Sequence, residues 1–162
     1  MLILGIDPGI GRCGFGLIKS EGSKVRAIDY GCIETGSELT TEERLLIINE
    51  EIGKIIKKNK PDAMSVEDLF FGANAKTALV VGQARGVILL AAAKNKIPVT
   101  KYTPLEVKMA LSGYGRADKN QVGQMVKVIL GLEKMPKLDD TTDALAIALT
   151  HAFSSKMGKF KQ

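Results

Sequence analysis

Apolar and polar positions change period several times along this chain, and each change marks an element. Leu2-Ile3-Leu4-Gly5-Ile6 is a continuous apolar run, which predicts a buried strand over 2–7 that stops at Asp7. Residues 13–19 and 25–34 predict two more strands, with Gly9 and Gly11 in the first turn and Glu21-Gly22-Ser23 in the second. Connections this short imply antiparallel hairpins. The period then lengthens. Leu45, Ile48, Ile52, Ile55 and Ile56 recur at helical spacing, with Lys54, Lys57 and Lys58 on the opposite side. Thr41 is the predicted cap; Arg44 stands three positions on, so no capping box is expected. Pro61 ends the helix, and 62–67 reads as a fourth strand ending at Glu67.

Asn74 is the predicted cap of a long helix reaching Asn95, followed by a fifth strand over 97–102. Short helices are expected near 104–111 and 118–131. Pro136 interrupts, and a last helix is expected from Asp140 to Ser155. The order β-β-β-α-β-α-β-α and further helix predicts an α/β fold. Its sheet is mixed and five-stranded, three antiparallel strands then two parallel, with helices on both faces. A chain of 162 residues fits one domain, here 1–156, with a short basic tail at 157–162 expected to lack order.

Composition adds little to that picture; charge adds more. Apolar residues make 45% of the chain, enough for a core without disulfide or metal staples. Cys13 and Cys32 both lie in strand patterns outside any C-x-x-C pair and read as buried small hydrophobes. No leader-like segment opens the sequence, and Gln83 and Arg85 interrupt its most apolar stretch, so neither a signal peptide nor a membrane span is expected and the cytoplasm is the default. The net charge is +5. Between Lys94 and Lys127 stand seven basic residues against Glu106 and Asp118, which accounts for the whole excess. A localised basic stretch fits a nucleic-acid partner; a solvated lysine face is the plainer alternative.

The candidate chemistry lies in four acids. Asp7 and Glu67 end buried strands, and Asp140 and Asp143 open an apolar helix at i, i+3 spacing. An acid at the edge of a core is costly unless paired or bound to a cation. If the fourth strand lies parallel beside the first, Asp7 and Glu67 become neighbours at the carboxyl edge of the sheet, where ligands of open α/β sheets gather. Packing the last helix on that sheet would carry Asp140 and Asp143 toward them. Each acid also has a plainer reading, as a turn residue, a strand exit or a helix N-terminal acid. Carboxylates without His or Cys favour hard cations, Mg²⁺ with Mn²⁺ as substitute. Such ions in pairs can activate water and stabilise a leaving oxygen in phosphodiester cleavage.

Other motifs were weighed beside these. Gly9 to Gly14 spells G-x-G-x-x-G, but Gly14-Phe15-Gly16 continues as strand, so no dinucleotide loop is expected. His151 lies about 16 Å along the helix from Asp140, too far to share its metal, and reads as a structural or surface residue. Phe70 and Phe71 could stack on bases or plug the core. Lys108 and Lys119 could hold a backbone phosphate. The helix after Asn74 is apolar on more than one face, which fits deep burial or half of a symmetric dimer.

Gly5-Ile6-Asp7-Pro8-Gly9, Val66-Glu67 with Phe70, Gly82-Gln83-Ala84-Arg85-Gly86 and Asp140-Thr141-Thr142-Asp143-Ala144-Leu145-Ala146 together resemble the RuvC family of bacterial Holliday-junction resolvases. The resemblance spans nearly the whole chain. It implies an RNase H-like fold, a homodimer and Mg²⁺-dependent paired nicking of four-way DNA junctions in recombination and repair, giving 5′-phosphate and 3′-hydroxyl ends. It implies a RuvA–RuvB branch-migration partner as well. Asp7, Glu67, Asp140 and Asp143 fall on the family's catalytic carboxylate positions. Lys108 and Lys119 fall on its basic positions, and Phe70 on an aromatic expected to meet bases. Two departures stand out. Some relatives carry a basic residue just after Asp-Pro-Gly, for which Arg12 is the candidate substitute, and some carry His where Asp140 stands. The adjacent Asp139 leaves the local assignment open by one residue, and helix register favours Asp140. The rival readings are a related nuclease acting on RNA or hybrid duplexes and a junction-binding protein without catalysis. A kinase or ATPase of similar topology would need a second lobe.

Overall fold

A computed structural model describes residues 1–68 and 75–159, with side chains described for 1–68 and 76–155. Its elements are β1 (Leu2–Asp7), β2 (Arg12–Glu21), β3 (Lys24–Glu34), α1 (Thr41–Asn59), β4 (Ala63–Glu67), α2 (Ala75–Lys94), β5 (Val99–Tyr102), α3 (Pro104–Ser112), α4 (Lys119–Leu130) and α5 (Asp139–Lys159). The sheet order is β3-β2-β1-β4-β5. β1, β2 and β3 pair antiparallel, and β4 and β5 add on in parallel, which is the mixed sheet the sequence predicts. Phe70, Phe71 and the expected Asn74 cap lie outside the described residues, as do 160–162. α5 continues to Lys159, beyond the expected end at Ser155.

Strand alternation sorts the core into two layers. Ile3 and Ile18 face α3, α4 and α5, packing with Val107, Val126, Leu145 and Leu149. Leu4, Ile6, Leu17, Met64 and Val66 face α1 and α2, against Ile48, Ile52, Ala84 and Ile88. Asp7 and Glu67 continue the alternation of Ile3 and Ala63, so both belong to the α5 side of the sheet.

Helix α5 lies close against that side because two strand positions carry no side chain. A Cβ on Gly14 would strike the Asp140 carbonyl, and one on Gly5 would come within 2.7 Å of the Ala148 backbone nitrogen. The helix therefore rests on the sheet backbone, with Leu145, Ile147 and Leu149 fully buried. The same glycines explain why G-x-G-x-x-G opens no helix here: Gly14 sits inside β2.

Two local expectations are corrected. The cap of α1 is Thr40, one residue earlier than predicted, and a capping box is present: Glu43 N–H donates to Thr40 Oγ1 at 3.3 Å and Thr40 N–H to Glu43 Oε2 at 2.8 Å. In a Thr-Thr pair the one with Glu three residues on satisfies two orphan donors, so it wins. Cys13 is buried, but Cys32 is only half-buried. Burial, then the charge of Asp140, pushes its thiol up to about 11. Of the two readings of α2, deep burial does not hold, because one face is uncovered. Ala84, Ile88, Ala91 and Ala92 pack inward, while Leu79 and Leu90 are 66% and 51% exposed. Its segment Lys76–Lys94 is long and apolar enough by length and composition to cross a membrane, a test that the core helix of a globular protein also passes. Its Arg85, however, is ion-paired to Asp68 at 2.8 Å.

His151 has the structural role expected. The Tyr102 hydroxyl lies 3.0 Å from its Nδ1, and the two rings meet edge to face at 6.0 Å. Burial holds its pKa below the usual imidazole value.

Candidate functional site

The site is built by register. Ile6 pairs with Val66 across the parallel β1–β4 ladder, so Asp7 and Glu67 leave the sheet side by side at its carboxyl edge. Asp139 and Asp140 lie in the first turn of α5, and Asp143 follows one turn later. The close seat of α5 on Gly14 and Gly5 brings that turn down to the same edge.

Electrostatics show how near the acids are. Desolvation first, then the charges of Glu67, Asp143 and Asp140, push Asp7 up to about 8. Glu67 is raised by burial and then by Asp143. Asp143 is raised by burial, although Lys119 pulls it the other way. Acids that repel one another at the edge of a core are a poor arrangement on their own and a good one for a hard divalent cation, because every donor is a carboxylate oxygen. Among the described residues no three Asp, Glu, His or Cys groups stand together as one metal-binding set. The Lys119 ammonium lies between Asp143, at 3.0 Å, and Asp139, at 3.4 Å, and Arg12 reaches Asp140 at 3.7 Å. The acids share an edge, where Asp7 is in hydrogen-bonding reach of Glu67.

The cations come from well-anchored elements. Thr103 caps α3 in a capping box with Glu106, with Pro104 in the first turn, and Lys108 follows one turn on. Asp118 caps α4 in a box with Gln121, which fixes Lys119 as the first helical residue. Lys108, Lys119, Glu67 and Asp143 line one cavity of about 280 Å³, whose apolar floor includes Val107, Val122 and Ile147. Burial disfavours the Lys119 ammonium, but its hydrogen bond to Asp143, that residue's charge and Asp139 outweigh this and raise its pKa.

The structure thus brings together Asp7, Glu67, Asp143, Asp140, Lys119 and Lys108, with Arg12 at the rim. Phe70 and Phe71 lie outside the described residues. Sequence reasoning missed Gly5 and Gly14, although glycine inside a strand pattern signals close backbone approach. It treated Asp139 as an alignment nuisance, where it is a partner of Lys119. It saw Arg85 as an interruption of an apolar stretch and as part of a family motif, and missed its ion pair with Asp68.

Comparison with known proteins agrees with this geometry. The family described as Crossover junction endodeoxyribonuclease RuvC matches residues 3–151. A protein of that description from Desulfitobacterium hafniense (strain DSM 10664 / DCB-2) is 54% identical over 154 residues, covering 95% of this chain and 93% of the relative. Another, from Ruminiclostridium cellulolyticum, is 52% identical over 158 residues, covering 98% and 95%. The structure of T. thermophilus RuvC in complex with Holliday junction substrate superposes with a TM-score of 0.93 at 39% identity, covering 98% of this chain and 96% of that one. The yeast mitochondrial Holliday junction resolvase shares the fold at 14% identity, with a TM-score of 0.68 and coverage of 98% and 82%.

Proposed function

Since the chain belongs to the RuvC family of crossover junction endodeoxyribonucleases, we propose that it nicks four-way DNA junctions in pairs, as a homodimer, with Mg²⁺ as cofactor and Mn²⁺ as substitute. The single observation that carries this reading is the neighbouring exit of Asp7 and Glu67 from parallel strands beneath the acids of α5. Asp7, Glu67, Asp140 and Asp143 would hold the ions. Divalent cations held there would activate water and neutralise charge at the leaving oxygen; breaking the bond from phosphorus to O3′ would leave 5′-phosphate and 3′-hydroxyl ends.

The remaining work falls to the chain's own residues. Lys108 and Lys119 sit in one cavity with Glu67 and Asp143, so a backbone phosphate held by the ammonium groups would lie against the carboxylates. Arg12, at the rim beside Asp140, offers a further contact to the DNA backbone. Symmetry matters too: two identical sites about a two-fold axis suit two like strands of a two-fold junction. The proposal extends to a cytoplasmic location and to the RuvA–RuvB complex as partner.

The test is to incubate the protein with a synthetic four-way junction, with and without Mg²⁺, and to map the nicks. Paired, metal-dependent nicks near the crossover are expected. Preferred cutting of linear RNA–DNA hybrids would replace this reading with a hybrid-duplex nuclease. Tight junction binding without nicks would leave a structural junction binder.

A further inference from the structure

α2 is an apolar helix with one charge in its middle, and that charge is largely buried. The Arg85 side chain is 14% exposed. Its Nη2 donates to Asp68 Oδ1 at 2.8 Å. Its Nε is buried and, among the described residues, has no partner. Burying a guanidinium is expensive, and a leucine would pack at such a position at far lower cost. A function that needs the charge itself would account for its place.

The partner's position shows what the charge does. Asp68 is the residue after Glu67. Its backbone N–H donates to the Tyr102 carbonyl at 2.8 Å, which ties it sideways to β5. Its carboxylate is tied to α2 through Arg85. The peptide immediately beyond Glu67 is therefore held from two directions, one through the backbone and one through charge. Glu67 is the last residue of β4, where the ladder no longer fixes the chain on both sides. The direction of its carboxylate depends on where the chain goes next.

We infer that Arg85 is a positioning residue: acting through Asp68, it fixes the exit of β4 and so the aim of the Glu67 carboxylate at the candidate site. The inference rests on the nuclease reading and deepens it. Arg85 touches neither DNA nor metal in this role. Its effect falls on the nicking step and leaves junction binding alone.

The experiment measures single-turnover nicking of a four-way junction with saturating protein, junction affinity without divalent ion, and thermal melting. The proteins are wild type, Arg85→Gln, Arg85→Lys, Asp68→Asn and the Arg85→Gln/Asp68→Asn pair. Arg85→Gln and Asp68→Asn should each slow nicking by roughly tenfold to a hundredfold, the loss typical of a misplaced reacting group, with junction affinity unchanged. The double variant should be no slower than the worse single one, because both break the same link. Arg85→Lys should recover most of the rate. If Arg85→Gln fails to fold, Asp68→Asn reads the same link from its half-exposed side. Nicking by Asp68→Asn at the wild-type rate overturns the inference. So does a loss of rate matched by an equal loss of junction affinity, or a double variant much slower than either single. A wild type that leaves junctions intact overturns the nuclease reading as well, so the two failures are distinguishable.

Discussion

Asp7 carries the largest electrostatic cost among the site residues. Its pKa is raised from 3.8 to about 8, by desolvation first and then by Glu67, Asp143 and Asp140. Between those two values the folded chain holds a proton at Asp7 that the unfolded chain has released. Stability of the metal-free protein from this group must therefore fall as pH rises through that window and level off above about 8. Asp7→Asn removes the cost. It should raise the melting temperature of metal-free protein at pH 8 by roughly 5 °C or more, with a smaller gain at pH 5, while abolishing nicking. An equal gain at both pH values would show that the charge of Asp7 is not what limits stability. A cation must displace that same proton, so the Mg²⁺ concentration needed for half-maximal nicking should drop as pH rises toward 8. Lys108 poses a simpler question. It lines the cavity without a carboxylate partner among the described residues, so its charge is available to a phosphate. Lys108→Ala should leave the fold intact, slow nicking and reduce the slope of junction affinity against salt by about 1. An unchanged slope across a salt series would remove Lys108 from the phosphate contact. Residue identity was readable at these positions because buried strands ending in acids are rare enough to notice. The pairing of Lys119 with both Asp139 and Asp143 was not readable, since it depends on where α4 begins relative to α5.

Among the elements, α5 has the most to lose from a small change. Its first turn carries the acids, and its depth on the sheet is set by Gly14 and Gly5. Gly14→Val would place a branched side chain against the Asp140 carbonyl and lever the start of the helix away. Overpacking of this kind costs about 1–3 kcal/mol, which a chain of this size can survive. The displaced acids should still cost most of the nicking rate. Comparing melting temperature with activity reads this directly: a mild loss of stability beside a severe loss of nicking is expected, and full activity would show that helix depth does not set the site. The periodicity of α5 was evident in the sequence, but its seating was not, because glycine contributes nothing to a hydrophobic pattern. The cap of α1 teaches the same lesson on a smaller scale. Thr40 and Thr41 look alike in one dimension, and only the reach of Glu43 back to the Thr40 N–H separates them.

At the scale of the whole molecule, the sheet puts the candidate site on one side and the partly uncovered α2 on the other. Leu79 and Leu90 remain exposed on a helix whose inner face is packed. If the homodimer forms there, Leu79→Asp with Leu90→Asp should shift the sedimenting species from dimer to monomer and abolish paired nicking, while the fold survives. A dimer of unchanged strength would place the interface elsewhere. The fold and the site differ in how far the linear chain reveals them. The sequence by itself determined the elements, their order, the mixed sheet and the identity of the acids. Each follows from local periodicity, turn chemistry and the cost of charge beside a core, all of which act over a few neighbouring residues. Only the tertiary structure decided how deeply α5 sits, which carboxylates meet cations, that Cys32 escapes full burial and that Arg85 braces the end of β4. Those outcomes depend on contacts between segments far apart in the chain, and short-range pattern carries no record of such distances.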